Sequence, residues 1–172
     1  MIDSHAHYDN DRFDADRQEF LTSAFAAGVT HIINPGCDLP SSRMAICLAE
    51  QHRGLFAAVG FHPHEASAYT ESDMDQLLEM CRHPKVVAVG EIGLDYHYDF
   101  SPRPQQQEVF RRQLDLAFDL DLPVIIHERE AVADCLAILE ACHRHGRLRS
   151  VPGVFHCYSG SPETAAILQK MG

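Results

Sequence analysis

No run in this chain approaches the ~20 consecutive apolar residues that a membrane-spanning helix requires. Residues 1–5 (Met-Ile-Asp-Ser-His) carry neither the basic start nor the apolar core of an export signal, so a cytoplasmic protein is expected. Positive charge is scarce: 14 Lys and Arg stand against 25 Asp and Glu, a net charge of −11. That balance argues against a broad basic surface gripping nucleic acid through many phosphates, and any nucleic-acid substrate must be held locally, through metal ions. The six cysteines, at 37, 47, 81, 135, 142 and 157, contain no C-x-x-C pair and read as reduced core residues. No linker or low-complexity stretch interrupts the 172 residues, of which 45% are hydrophobic and 23% charged, so one globular domain spanning 1–172 is expected. Histidine is the abundant exception, with 12 copies, several beside acidic residues or at the ends of apolar runs.

Short apolar runs alternate with helical patterns along the whole chain, the signature of βα units around a parallel sheet. Six strands are predicted: Ile2–His5, His31–Pro35, Leu55–Gly60, Val86–Glu91, Pro123–His127 and Gly153–His156. Val86-Val87-Ala88-Val89 and Val124-Ile125-Ile126 are continuously apolar, as strands covered on both faces must be. Between them, Phe110, Leu114, Ala117 and Phe118, and likewise Met74, Leu77, Leu78 and Cys81, recur at helical spacing. Gly28 reads as a C-cap, Thr70 with Asp73 as a capping box, and Ser161-Pro162 as N-cap followed by the first helical residue. Successive strand-end markers His5, Asn34, Gly60, Glu91, His127 and His156 are 29, 26, 31, 36 and 29 residues apart, about one βα unit each. A doubly wound open sheet and a (β/α) barrel both fit this rhythm. No G-x-G-x-x-G follows the first strand, so the barrel is preferred. Closure takes eight units, so an α/β, TIM-type (β/α) barrel with about six of its units is expected, its first and sixth strands left as edges open to self-association.

His5 and His7, two residues apart, project to one side of an extended segment. Alone, such a pair is most often ordinary surface or core histidine. Glu91, His127 and His156 end strands in the same way, and in a barrel those ends converge on one mouth where active sites form. Buried imidazoles grouped with a carboxylate are costly without a cation. Five ligands exceed the three usual at one catalytic zinc, so two ions bridged by Glu91 are expected, with hydrolysis as the reaction class.

Five segments carry a family likeness: Ile2-Asp3-Ser4-His5-Ala6-His7, Gly60-Phe61-His62-Pro63-His64, Gly90-Glu91-Ile92-Gly93-Leu94-Asp95-Tyr96, Leu122-Pro123-Val124-Ile125-Ile126-His127-Glu128-Arg129, and Gly153-Val154-Phe155-His156-Cys157-Tyr158-Ser159-Gly160. In order and spacing they resemble the signature motifs of the TatD-type metal-dependent deoxyribonucleases, within the amidohydrolase-like hydrolases. The resemblance implies a TIM-type barrel and a magnesium- or manganese-supported nuclease that removes nucleotides from DNA ends, with a single-stranded or frayed 3′ end as substrate. It implies that His5 and His7 hold one ion, His127 and His156 the other, and that Glu91 bridges them. A further aspartate, in an E-T-D motif of the family's last strand, lies beyond these 172 residues. Imidazole-rich sites favour zinc or nickel over magnesium, so either metal can occupy such a site as bound.

Arg129 is a candidate phosphate ligand, with a salt bridge to Glu128 or Glu130 as the plain alternative. His62 and His64 are candidate contacts to the scissile phosphate, or else hydrogen-bonding supports. Asp95 either orients a metal-bound histidine or forms a turn. Phe61, Tyr96, Tyr98 and Tyr158 follow strand ends and can stack on splayed bases, although packing beneath loops is the commoner fate of such rings. His31, His52, His83, His97, His143 and His145 lack convergent partners and receive no catalytic role. Two rival readings remain open at this stage. The same site can serve an ester, lactone or amide, because fold and metals do not choose the substrate; or the chain is a truncated, catalytically impaired metal-binding barrel.

Overall fold

The continuously apolar runs become the middle strands of one parallel sheet in the computed structural model, which describes residues 1–149 and 151–172. Six strands alternate with six helices among the described residues: β1 Ile2–Asp3, α1 Arg17–Ala26, β2 His31–Pro35, α2 Leu39–Gln51, β3 Leu55–Val59, α3 Glu71–Cys81, β4 Val86–Asp95, α4 Arg103–Asp119, β5 Val124–Arg129, α5 Val132–Arg144, β6 Gly153–Phe155 and α6 Pro162–Gln169. The strand order is β1-β2-β3-β4-β5-β6, every neighbour parallel. A doubly wound sheet reverses its strand order at a switch point; this one winds in a single direction, as a barrel does.

The sheet is also curled. His5, just past β1, and His156, just past β6, stack with ring centroids 3.9 Å apart. In a flat sheet of this width the edge strands would lie about 24 Å apart. The chain is thus six units of a TIM-type (β/α) barrel, with β1 and β6 as its edges. On the helix side of the sheet, Leu21, Ile32, Leu77, Val89, Phe110 and Ile138 belong to one large buried core. The opposite face carries only a small apolar cluster of Ala58, Ala88 and Ile125 with Ile33 against it. The expected caps are present: Ser161 Oγ accepts from Thr164 N at 3.1 Å, Asp73 Oδ2 accepts from Thr70 N at 2.7 Å, and Gly28 follows α1 at φ +96°. No described helix is long and apolar enough to cross a membrane.

Several boundaries differ from expectation. β1 stops at Asp3, whose Oδ1 accepts from His5 N at 3.1 Å and turns the chain, so His5 lies beyond the strand. β3 and β6 end at Val59 and Phe155, leaving Gly60 and His156 just outside. β4, by contrast, runs four residues past Glu91 to Asp95. The β4–β5 register shifts between Val89 and Ile92 and then resumes through Gly93↔His127 to Asp95↔Arg129. A register irregularity re-aims a side chain, and here it falls on Glu91. The cysteines are all free, but only Cys81 and Cys135 are buried in the core; Cys47 and Cys157 are exposed, and Cys37 and Cys142 half-buried.

Candidate metal centre

Glu91 is buried at the inner mouth of the half-barrel, and four imidazoles surround its carboxylate. Oε2 faces His5 Nε2 at 3.3 Å and His7 Nε2 at 3.5 Å, and these two nitrogens are 3.1 Å from each other. Oε1 faces His156 Nε2 at 2.7 Å and His127 Nδ1 at 3.0 Å. The five residues expected to converge are therefore together, one carboxylate oxygen turned to each pair of histidines. Ligands about 2.0–2.2 Å from a single ion stand roughly 3–3.5 Å from one another, which is the spacing of His5, His7 and Glu91. Ligand-capable atoms also group within 4.8 Å as His5–Glu91–His156, His7–Cys37–Glu91 and His62–Glu91–His127. His5 thus stands between both sides of Glu91, closer to the second pair than a simple division by motif implies.

The charge balance is what a cation site requires. No lysine or arginine among the described residues pairs with Asp9, Glu91 or Asp95; their partners are imidazoles. Burial raises the pKa of Glu91, but hydrogen bonds from His127, His156, His5 and His7 outweigh it and hold the carboxyl far below the ordinary range. Hydrogen bonding to Asp9 and Glu91 lifts His7 to about 9, and burial only partly opposes this. His127 is also raised, Glu91 and Asp95 outweighing its burial. The protons on these rings supply the positive charge that buried carboxylates need. A divalent ion can supply it instead, and the residues present fit one. Because a ligating imidazole must be neutral, metal and proton compete. Mn²⁺ affinity should therefore rise by up to about tenfold per pH unit as pH increases toward 9, with proton release on binding. Calorimetry in buffers of different ionisation enthalpy measures this; pH-independent affinity from 6 to 8 would contradict it.

The supporting residues divide clearly. Asp95 is fully buried at the end of β4: Oδ2 accepts from His127 Nε2 at 3.0 Å and His64 Nε2 at 2.9 Å, and Oδ1 accepts from His97 N at 3.0 Å and Tyr98 N at 2.9 Å. It orients a histidine and shapes a turn at once. Burial raises its pKa, but the Tyr98 amide and the two imidazoles win and bring it down to about 2. Burial lowers His62 to about 3. His62 Nδ1 accepts from His64 N at 3.2 Å, so the proton of this neutral ring sits on Nε2, which points at Glu91 Oε1 from 3.9 Å. His62 thus turns its Nε2 toward Glu91 and lies within ligand distance of Glu91 and His127. Arg129 forms no ion pair among the described residues. Glu128 accepts from Ala131 N and Glu130 pairs with His97, while the Arg129 guanidinium lies 4.9 Å over the Tyr98 ring. Among the aromatics, Phe61 is buried as core, whereas Tyr98 and Tyr158 remain exposed.

Three residues were missed from sequence. Asn34, fully buried in β2, donates to Asp9 Oδ1 at 2.8 Å and accepts from Tyr8 N at 2.6 Å; Asp9 Oδ1 is 3.6 Å from His7 Nδ1. Asn34 thereby fixes the backbone and carboxylate behind His7. Cys37, just past β2, shares a cluster with His7 and Glu91, with burial pushing its thiol up and keeping it neutral. The only sequence signal was a polar residue, Asn34, inside an apolar strand; Asp9 and Cys37 lie outside the strands. Asn34→Ala should weaken Mn²⁺ binding about 10–100-fold, measured by titration; unchanged affinity would remove Asn34 from the site.

The chain matches the model of the TatD-related DNase family over residues 2–172. It is 40% identical over 171 residues to YabD of Bacillus subtilis, named as an uncharacterized metal-dependent hydrolase, covering 99% of this chain and 66% of that protein. It is 36% identical over 166 residues to the 3'-5' ssDNA/RNA exonuclease TatD of Cronobacter sakazakii, covering 96% and 61%. The crystal structure of YJJV, a TatD homologue from Escherichia coli, superposes with a TM-score of 0.89 at 35% identity, covering all of this chain and 65% of that one. The chain thus spans about two thirds or less of the relatives it matches. With the ordered motifs and the half-barrel mouth they build, the match over residues 2–172 shows that the chain belongs to the TatD-related DNase family.

Proposed function

We propose that this centre holds two divalent ions and hydrolyses phosphodiester bonds at the ends of single-stranded DNA. The observation that carries the reading is the division of Glu91: Oε2 turns to His5 and His7, Oε1 to His127 and His156. In this reading His5 and His7 would hold one ion and His127 and His156 the other, with Glu91 shared between them. Divalent ions held by these residues would supply charge to neutralise a phosphodiester and would activate water at neutral pH. Magnesium or manganese suits the activity, and zinc or nickel suits the imidazoles as bound.

The protein's own groups do the rest. Asp95 holds the His127 ring by its Nε2, leaving Nδ1 to face Glu91. A carboxylate behind a ligating histidine fixes its tautomer and orientation. His62 presents a neutral Nε2–H toward the centre, a donor for a non-bridging phosphoryl oxygen. Arg129, at the end of β5 and without an ion pair among the described residues, lies over the Tyr98 ring and suits a phosphate farther along the strand. Support for nucleic acid as substrate comes from the family and from the name of the TatD exonuclease relatives.

The test is digestion of end-labelled single-stranded DNA in Mg²⁺ or Mn²⁺ against an EDTA control, with a parallel panel of lactones and phosphotriesters. Metal-dependent loss of terminal nucleotides is expected. Turnover of the panel with intact DNA would replace the substrate class, and no turnover of anything would leave a metal-binding barrel without this activity.

A further inference from the structure

Beside the centre, two large aromatic side chains stand in the open. Phe100 is 66% exposed and Tyr98 47% exposed, and their rings stack on each other at 5.4 Å with an interplanar angle of 29°. Phe100 reaches within 4.8 Å of the His64 ring. His64 Nε2 in turn shares Asp95 Oδ2 with His127, so a single imidazole separates the exposed rings from the candidate ligands.

The segment that carries them is firmly built. Asp99, between the two aromatics, takes φ +51°, a turn that sets residues 98 and 100 side by side. Arg103 grips Asp99 with Nε at 3.0 Å and Nη2 at 2.6 Å while lying 4.3 Å over the Tyr96 ring. Tyr98 N donates to Asp95 at 2.9 Å, and buried Ser101 donates to His64 O at 2.7 Å. Held this way, Tyr98 lies against Phe100 and the Arg129 guanidinium, and Phe100, the more exposed ring, keeps most of its surface in water. Apolar surface left exposed on an ordered segment is expected where a ligand covers it. The Arg129 guanidinium over Tyr98, without an ion pair among the described residues, supplies a cation at the same place in a chain of net charge −11.

We infer that Tyr98 and Phe100 form a stacking platform for an unpaired nucleobase of the substrate strand, with Arg129 holding the adjoining phosphate. The inference rests on the nuclease reading and deepens it. Stacking tolerates any base and demands that the base be unpaired, so the platform selects single-stranded ends without selecting sequence.

The chain contains no tryptophan, so Phe100→Trp installs a single tryptophan, excited apart from the tyrosines, at an exposed position of the platform. The probes are a phosphorothioate oligothymidylate, resistant to cleavage, and a chain of abasic deoxyribose phosphates of equal length, both in Mn²⁺ and both end-labelled for anisotropy. Oligothymidylate should quench the tryptophan saturably, and the abasic chain should not. Adding Tyr98→Ala should weaken oligothymidylate binding about tenfold. Binding of oligothymidylate without quenching, or equal affinity for the abasic chain, would overturn the platform and leave the nuclease reading standing. No binding of either probe by any variant, wild type included, would overturn both.

Discussion

Glu91→Gln should reduce metal-dependent DNA cleavage by more than about a thousandfold, the largest functional effect of any single change in this chain. Glutamine keeps the shape but offers one carbonyl oxygen where the carboxylate offers two, and it turns an amide toward one of the histidine pairs that now face an oxygen at 2.7–3.5 Å. It also removes the negative charge about which the imidazoles are arranged. Losing an oriented carboxylate behind a ligand already costs 10–100-fold in metal affinity, and losing the bridge itself must cost more. A readout independent of turnover is thermal stability. Wild type at a hundredfold excess of Mn²⁺ over its Kd gains about 2.7 kcal/mol by mass action, and Glu91→Gln should gain almost none. Activity within tenfold of wild type, or an undiminished Mn²⁺-induced shift in Tm, would refute the bridging role.

Gly93→Ala should have the largest effect on stability, more than about 4 kcal/mol, enough to prevent folding. Gly93 sits opposite His127 in the β4–β5 ladder at φ +142°, and a Cβ added there would fall onto the His127 carbonyl oxygen, a backbone atom that has no rotamer to escape into. Strain and overlap act together, and any relief must push β5 and its His127 away from Glu91. Gly146→Ala is the internal comparison: φ is +67° but a Cβ there meets nothing within 4 Å. Only the backbone penalty remains, about 1–2 kcal/mol. Urea unfolding of the two variants measures the difference; a Gly93→Ala protein as stable as Gly146→Ala would mean that the strands do not approach this closely.

The elements of the fold were legible because their signals are local. Continuous apolar runs such as Val86–Val89 belong to strands covered on both faces, and Ser161-Pro162 and Thr70 with Asp73 name helix starts through hydrogen bonds made within one turn. The convergence of His5, His7, Glu91, His127 and His156 was legible for a related reason: once the strands are parallel and their ends face one way, residues at corresponding points meet. For Asp95 the sequence left two roles open, orienting a histidine or forming a turn, because nothing local shows that β4 continues past Glu91; the continuation depends on its pairing with β5 through Arg129. The local acids beside Arg129 argued for a salt bridge that does not form, since Glu128 and Glu130 are engaged elsewhere.

What the sequence by itself determined is the set of ligand-capable residues, the six βα units and the family, all of which depend on residue type and spacing along the chain. Only the tertiary structure decided how one carboxylate is shared. The register irregularity in β4 aims Glu91, Asn34 secures Asp9 behind His7, and curling brings His5 and His156, 151 residues apart, into ring contact. Those relations arise from strand pairing and closure, which are many-residue properties that no local pattern encodes. For the same reason, the exposure of Tyr98 and Phe100 beside the centre follows from the turn at Asp99 and its grip by Arg103, and not from the identity of the rings.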